Sequence, residues 1–129
     1  MADQPNVLVL LVDDEPLLLD RMEDVLDSGG FEVFTATGYT DALARLELNR
    51  AADIDALVTD IDLKSLETGW DLARHARSLK AELPVVYVTA RSSDDWLVNG
   101  VPNSIALQKP FADAQLTFAL AELLNHPSS

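Results

Sequence analysis

Asp13, Asp14, Asp60, Thr89 and Lys109 are the residues whose types and placement could do chemistry. Each follows or ends a short apolar run. Residues 7–12 lead into Asp13-Asp14, residues 56–59 into Asp60, residues 85–88 into Thr89, and residues 104–108 into Lys109-Pro110. An acid at the end of an apolar segment must stay solvated or meet a cation, because burying an unpaired charge is costly. Carboxylates brought together at one rim repel, so either one keeps its proton or a cation binds among them. Oxygen donors without Cys or His suit Mg2+ or a similarly hard cation. Mg2+ takes phosphate oxygens and waters as its remaining ligands. An aspartate beside it can act as a nucleophile and form an acyl phosphate. The ammonium of Lys109 and the hydroxyl of Thr89 would then meet the charge on the phosphoryl oxygens. Singly, each residue has a plainer role: a helix cap at Asp13-Asp14, a structural Thr89, a surface Lys109. The joint placement at the ends of separate apolar runs sets them apart, with Asp60 at the centre.

The elements that would position these groups follow from hydrophobic pattern. Residues 7–12 are continuously apolar, as in a strand buried on both faces of a parallel sheet. A helix from about Glu15 to Ser28, with Pro16 in its first turn and acids before it, carries Leu18, Leu19, Met22, Val25 and Leu26 inward, and Gly29-Gly30 ends it. Residues 31–35 alternate like an edge strand. A helix to about Arg50, a strand over 55–60, and a helix from about Trp70 to Lys80 follow. That third helix presents Leu72, Ala73, Ala76 and Leu79 to the core and Arg74, Arg77 and Lys80 to solvent. Residues 84–89 form a fourth strand, 92–99 two short helical turns around Trp96 and Leu97, 104–108 a short fifth strand, and a last helix starts near Ala112. Strands alternating with helices mean crossover connections, hence a parallel sheet with helices on both faces. The expected fold is a doubly wound α/β sheet of five strands in the order 2-1-3-4-5. Such sheets bind ligands beyond the carboxyl ends of the strands, between the first and third. Those strands end in Asp13-Asp14 and Asp60.

Asp13-Asp14, Asp60, Thr89 and Lys109-Pro110-Phe111, in that order, resemble the receiver domain of bacterial two-component response regulators. The resemblance covers about residues 6–125, within a single expected domain spanning 1–129 and without an effector domain. It implies that Asp60 accepts a phosphoryl group from a phosphohistidine on a sensor histidine kinase or histidine phosphotransfer protein. It implies Mg2+ ligated by Asp14, Asp60 and the backbone carbonyl of Asp62, with Asp13 acting through a bound water. Thr89 and Lys109 would bind the phosphoryl oxygens, and Asp62 and Arg91 would flank the site and could tune water access. The output would be altered binding to a protein partner, by a monomer or weak homodimer in the cytoplasm. Three departures stand out. Ala106 lies where many receivers carry Tyr or Phe, Lys64 lies where Pro is common after the phosphoacceptor, and Gly69 comes one residue late.

Composition narrows the alternatives. The chain has 129 residues, 22 Asp and Glu against 9 Lys and Arg, and a formal charge of −13. That balance repels a phosphate backbone, so direct nucleic-acid binding is not expected. There is no cysteine, hence no disulfide, thiolate metal site or thiol nucleophile. No apolar run reaches the length of a membrane span. The rival enzyme reading takes Asp60-Ile61-Asp62 as the D-x-D nucleophile of a haloacid-dehalogenase-type phosphatase, but that motif belongs on the first strand and the paired acids belong late. A receiver that no longer takes phosphate is a further alternative. His75 and His126 read as solvent-facing residues rather than phosphoryl carriers.

Overall fold

Strands β1 (Leu8–Val12), β3 (Ala56–Asp60) and β4 (Val85–Thr89) are buried almost throughout, as their unbroken apolar sequences require. In the computed structural model, residues 7–48, 53–90 and 96–125 are described. The remaining elements are α1 (Pro16–Ser28), β2 (Glu32–Ala36), α2 (Tyr39–Leu48), α3 (Gly69–Leu79), α4 (Trp96–Asn99), β5 (Ser104–Gln108) and α5 (Asp113–Asn125). All strand pairs are parallel, and the five-stranded sheet has the order β2-β1-β3-β4-β5. The expected architecture is therefore the observed one. Arg91 and residues 92–95, the expected end of the second helix at 49–50, and His126 lie outside the described residues.

Alternation along the strands builds a core on each face of the sheet. Leu10, Val12, Leu57, Val85 and Tyr87 face one side, where Ala42 and Leu46 of α2 and Leu72, Ala73 and Ala76 of α3 cover them. Val9, Leu11, Val58, Val86 and Val88 face the other, under Leu19, Met22 and Leu26 of α1 and Leu116, Leu120 and Leu123 of α5. Burying a side chain of this size stabilises by roughly 1.5–3 kcal/mol, so the two layers fix the sheet and, with it, the positions of the strand ends.

Local chemistry sets the helix limits. Pro16 occupies the first turn of α1, where no N–H is missed. Gly30 takes φ 91° just past its end, a left-handed conformation suited to glycine. Thr68 and Asp71 form a reciprocal capping box at the start of α3. Several details depart from the sequence pattern. Leu79 is 43% exposed rather than core. Arg77 bends over the end of α3 to donate to the carbonyls of Leu83, Pro102 and Asn103 at 2.6, 2.6 and 3.1 Å. Lys80 donates to Ile54 O at 2.8 Å. Helical periodicity assigns a face; it does not predict that long cationic side chains will curl back to satisfy loop carbonyls. β5, expected to be short, has five residues like the other strands. The described part of α4 is a single turn.

Candidate functional site

The sheet delivers β1, β3, β4 and β5 to one edge by their carboxyl ends. Asp13 and Asp14 follow β1, Asp60 closes β3, Thr89 closes β4, and Lys109 follows β5. The parallel register aligns Val12 with Thr59, Asp60 with Val88, and Thr89 with Gln108. Five residues between 13 and 109 thus lie along one sheet edge because each stands at the carboxyl end of one of these four strands. Asp13, Asp60 and Thr89 are all buried. Asp13, Asp14 and Asp60 each bring one carboxylate oxygen within 4.8 Å of the others.

Lys109 lies against this cluster. Its Nζ is 3.4 Å from Asp60 Oδ2, 3.6 Å from Asp13 Oδ2 and 3.8 Å from Glu15 Oε1. Its backbone N–H donates to Thr89 O at 2.7 Å, which ties the β5 end to the β4 end, and the Lys109–Pro110 peptide bond is cis. Asp60 Oδ1 accepts the Asp62 N–H at 3.3 Å, and Asp13 Oδ1 accepts the Glu15 N–H at 2.8 Å. Asp13 thus braces the turn into α1. Glu15 is the N-cap residue and makes no side-chain capping bond.

The electrostatics follow from crowding. Burial, then the charge of Asp13, push the Asp60 carboxyl up to about 6, with Lys109 and the Asp62 N–H offsetting part of the rise. Burial also raises Asp13, against the opposing pull of the Glu15 N–H and Lys109. Burial disfavours the Lys109 ammonium, but Asp60 and Asp13 outweigh it and the net shift is upward. Asp13 Oδ2 and Asp14 Oδ2 are buried oxygens with no hydrogen-bond partner among the described residues. Each has only a lysine ammonium at 3.5–3.6 Å, and three such carboxylates, all hard donors, are a set that a divalent cation such as Mg2+ satisfies.

Three features of the site were not expected from sequence. Glu15, the acid that follows the Asp13-Asp14 pair, joins Lys109. Lys64 Nζ reaches Asp14 Oδ2 at 3.5 Å. Gly69 packs directly on the carbonyl of Asp60; a Cβ there would overlap that oxygen and stand 2.9 Å from Ile61 Cα. The last had a signal, since glycine is a poor helix former placed just after a capping Thr68. The pairing of Asp62 with Arg91 lies outside the described residues on the Arg91 side. Asp62 itself is exposed, and its Oδ1 accepts the Lys64 N–H at 3.2 Å.

The region under the β4–β5 end is filled by aromatics. Tyr87 is fully buried, stacks at a 55° tilt on Trp70 with centroids 4.5 Å apart, and its hydroxyl accepts the Val101 N–H at 3.1 Å. Trp96 Nε1 donates to Ser104 Oγ at 2.9 Å. Ala106 is the strand partner of Tyr87.

A doubly wound sheet with acids at the ends of β1 and β3, and a Thr and a Lys at the ends of β4 and β5, defines a receiver-type signalling domain. The chain belongs to the response regulator receiver domain family, whose model matches residues 9–121. It is 36% identical over 123 residues to the transcriptional regulatory protein PrrA of Mycobacterium tuberculosis, covering 94% of this chain and 51% of that protein. The chain thus spans about half the length of the curated relatives it matches first. A response regulator receiver protein from Sinorhizobium medicae superposes with a TM-score of 0.88 at 41% identity, covering 93% of this chain and 95% of that one. The receiver domain of a sensor histidine kinase from Pseudomonas aeruginosa superposes with a TM-score of 0.80 at 25% identity, covering 95% and 100%. That structure holds a magnesium ion in its active-site cleft.

Proposed function

We propose that this chain is a phosphoacceptor of a two-component phosphorelay, with Asp60 as the residue modified. The donor is a phosphohistidine on a sensor histidine kinase or histidine phosphotransfer protein. A carboxylate oxygen of Asp60 forms a bond to phosphorus while the phosphorus–nitrogen bond breaks, and the electron pair returns to the imidazole. The observation that carries this reading is the buried Asp60 carboxylate held 3.4 Å from the Lys109 ammonium. Lys109 keeps a positive charge where phosphoryl oxygens would arrive, and Thr89 at the neighbouring strand end offers a hydroxyl. Asp14, Asp60 and the Asp62 backbone carbonyl would hold Mg2+, with Asp13 acting through a water. Mg2+ so held would supply charge neutralisation on the phosphoryl oxygens.

Phosphorylation adds charge and acceptor oxygens at one sheet edge, which biases the loops there and changes binding to a protein partner. A donor of this kind works in the cytoplasm, and that is where we assign the activity. Among the described residues no helix is long and apolar enough to cross a membrane. The test is labelling by a phosphorylated kinase or acetyl phosphate with Mg2+. Wild type should take up label stoichiometrically without steady turnover, and Asp60→Ala should take none while keeping its circular dichroism spectrum. Label on the Ala variant would overturn the assignment of Asp60.

A further inference from the structure

The geometry points to Lys64 as a displaceable counter-cation for the acidic cluster, one that sets how tightly the site takes a divalent cation. The inference rests on the Mg2+ site proposed above. Two lysines serve the cluster and they divide it. Lys109, with its side chain 18% exposed, attends to Asp60, Asp13 and Glu15. Lys64 attends to Asp14, with Nζ 3.5 Å from an Oδ2 that accepts no hydrogen bond. Asp14 belongs to the triplet whose carboxylates each bring one oxygen within 4.8 Å of the others. A metal ligated by Asp14 would therefore settle on the carboxylate that Lys64 approaches.

The two cations differ in how they are held. The Lys64 side chain is 76% exposed, on an unbranched stem that water can readily receive. Its backbone is not free in the same way. Lys64 takes φ 55°, a left-handed conformation usual for Gly or Asn, and its N–H is bound to Asp62 Oδ1. The turn thus fixes where the side chain starts while leaving the ammonium able to leave. In the metal-free protein the ammonium offsets the Asp14 charge; when a divalent cation arrives, ammonium and metal repel and the ammonium swings into solvent. The outcome is a built-in weakening of metal affinity that a neutral residue at position 64 would lack.

Isothermal titration of the full chain with MgCl2 tests this. Lys64→Gln should bind Mg2+ roughly 2- to 5-fold more tightly than wild type, the upper part of the range an exposed ion pair spans. The advantage should shrink as KCl is raised from about 0.1 to about 0.5 M, because exposed charges are screened. Arg74→Gln removes the same charge from α3, where Arg74 pairs with Asp71, and should leave the affinity within about twofold, as expected for a screened surface charge. Equal or weaker binding by Lys64→Gln, or the same gain in Arg74→Gln, would overturn the role of Lys64. Asp14→Asn separates this from failure of the site itself. If wild type binds no Mg2+, or if Asp14→Asn binds as wild type does, the proposed metal site falls, and the role of Lys64 with it.

Discussion

Gly69 presses its backbone against the carbonyl oxygen of Asp60, so closely that no side chain fits between them. The start of α3 thereby supports the rear of the residue at the centre of the site, and the Gly69 N–H donates to Ile61 O at 2.8 Å. A methyl group there must push α3 away from the β3 end or shift Asp60. Overpacking of this kind costs about 1–3 kcal/mol. Gly69→Ala should lower the urea midpoint accordingly and slow phosphoryl labelling of Asp60. An unchanged midpoint with unchanged labelling would show that the contact relaxes freely.

Asp60 itself should trade stability for function. Its folded pKa of about 6 lies above the ordinary 3.8, so the folded state holds the proton more tightly than the unfolded state does. Above pH 6 the group is ionised in both states and the cost of the buried charge is felt in full. As pH falls through 6 toward 3.8, the folded state protonates first and that cost is relieved. In EDTA, Asp60→Asn should therefore be more stable than wild type by ~1–3 kcal/mol at pH 8, and the gap should close by about pH 4 as the carboxyl becomes neutral. Urea melts across that range measure it. A gap that widened toward acid pH would mean that Asp60 is stabilised, not strained, as the carboxylate.

The Tyr87 hydroxyl holds the segment between α4 and β5 through the Val101 N–H. Tyr87→Phe leaves that buried donor without its partner, at about 1–3 kcal/mol. We expect a lower midpoint and faster amide exchange at Val101, with little change along β1 and β3. Protection at Val101 equal to wild type would assign the hold on this segment to Arg77 and its carbonyl contacts.

The sequence by itself determined the doubly wound parallel sheet and the placing of Asp13, Asp14, Asp60, Thr89 and Lys109 at the carboxyl ends of its strands. Short apolar runs rich in Val and Leu, each bounded by turn or cap residues, suit strands covered on both faces. Crossover connections make the strands parallel, which brings every strand's carboxyl end to one edge. Once that is so, a residue's place at the end of its run fixes its place in the site. What only the tertiary structure decided lies in loops and at helix ends, where no period operates. Lys64 meets Asp14 because a left-handed residue turns the β3–α3 loop back toward β1. Gly69 is required by a close approach to the Asp60 carbonyl, at which its place after a capping Thr68 only hints. Arg77 and Lys80 belong to the solvent face by helical phase, and their length lets them reach the carbonyls of Leu83 and Ile54. Tyr87, beside Ala106 on the neighbouring strand, binds the α4–β5 segment by a hydroxyl whose partner only the fold supplies.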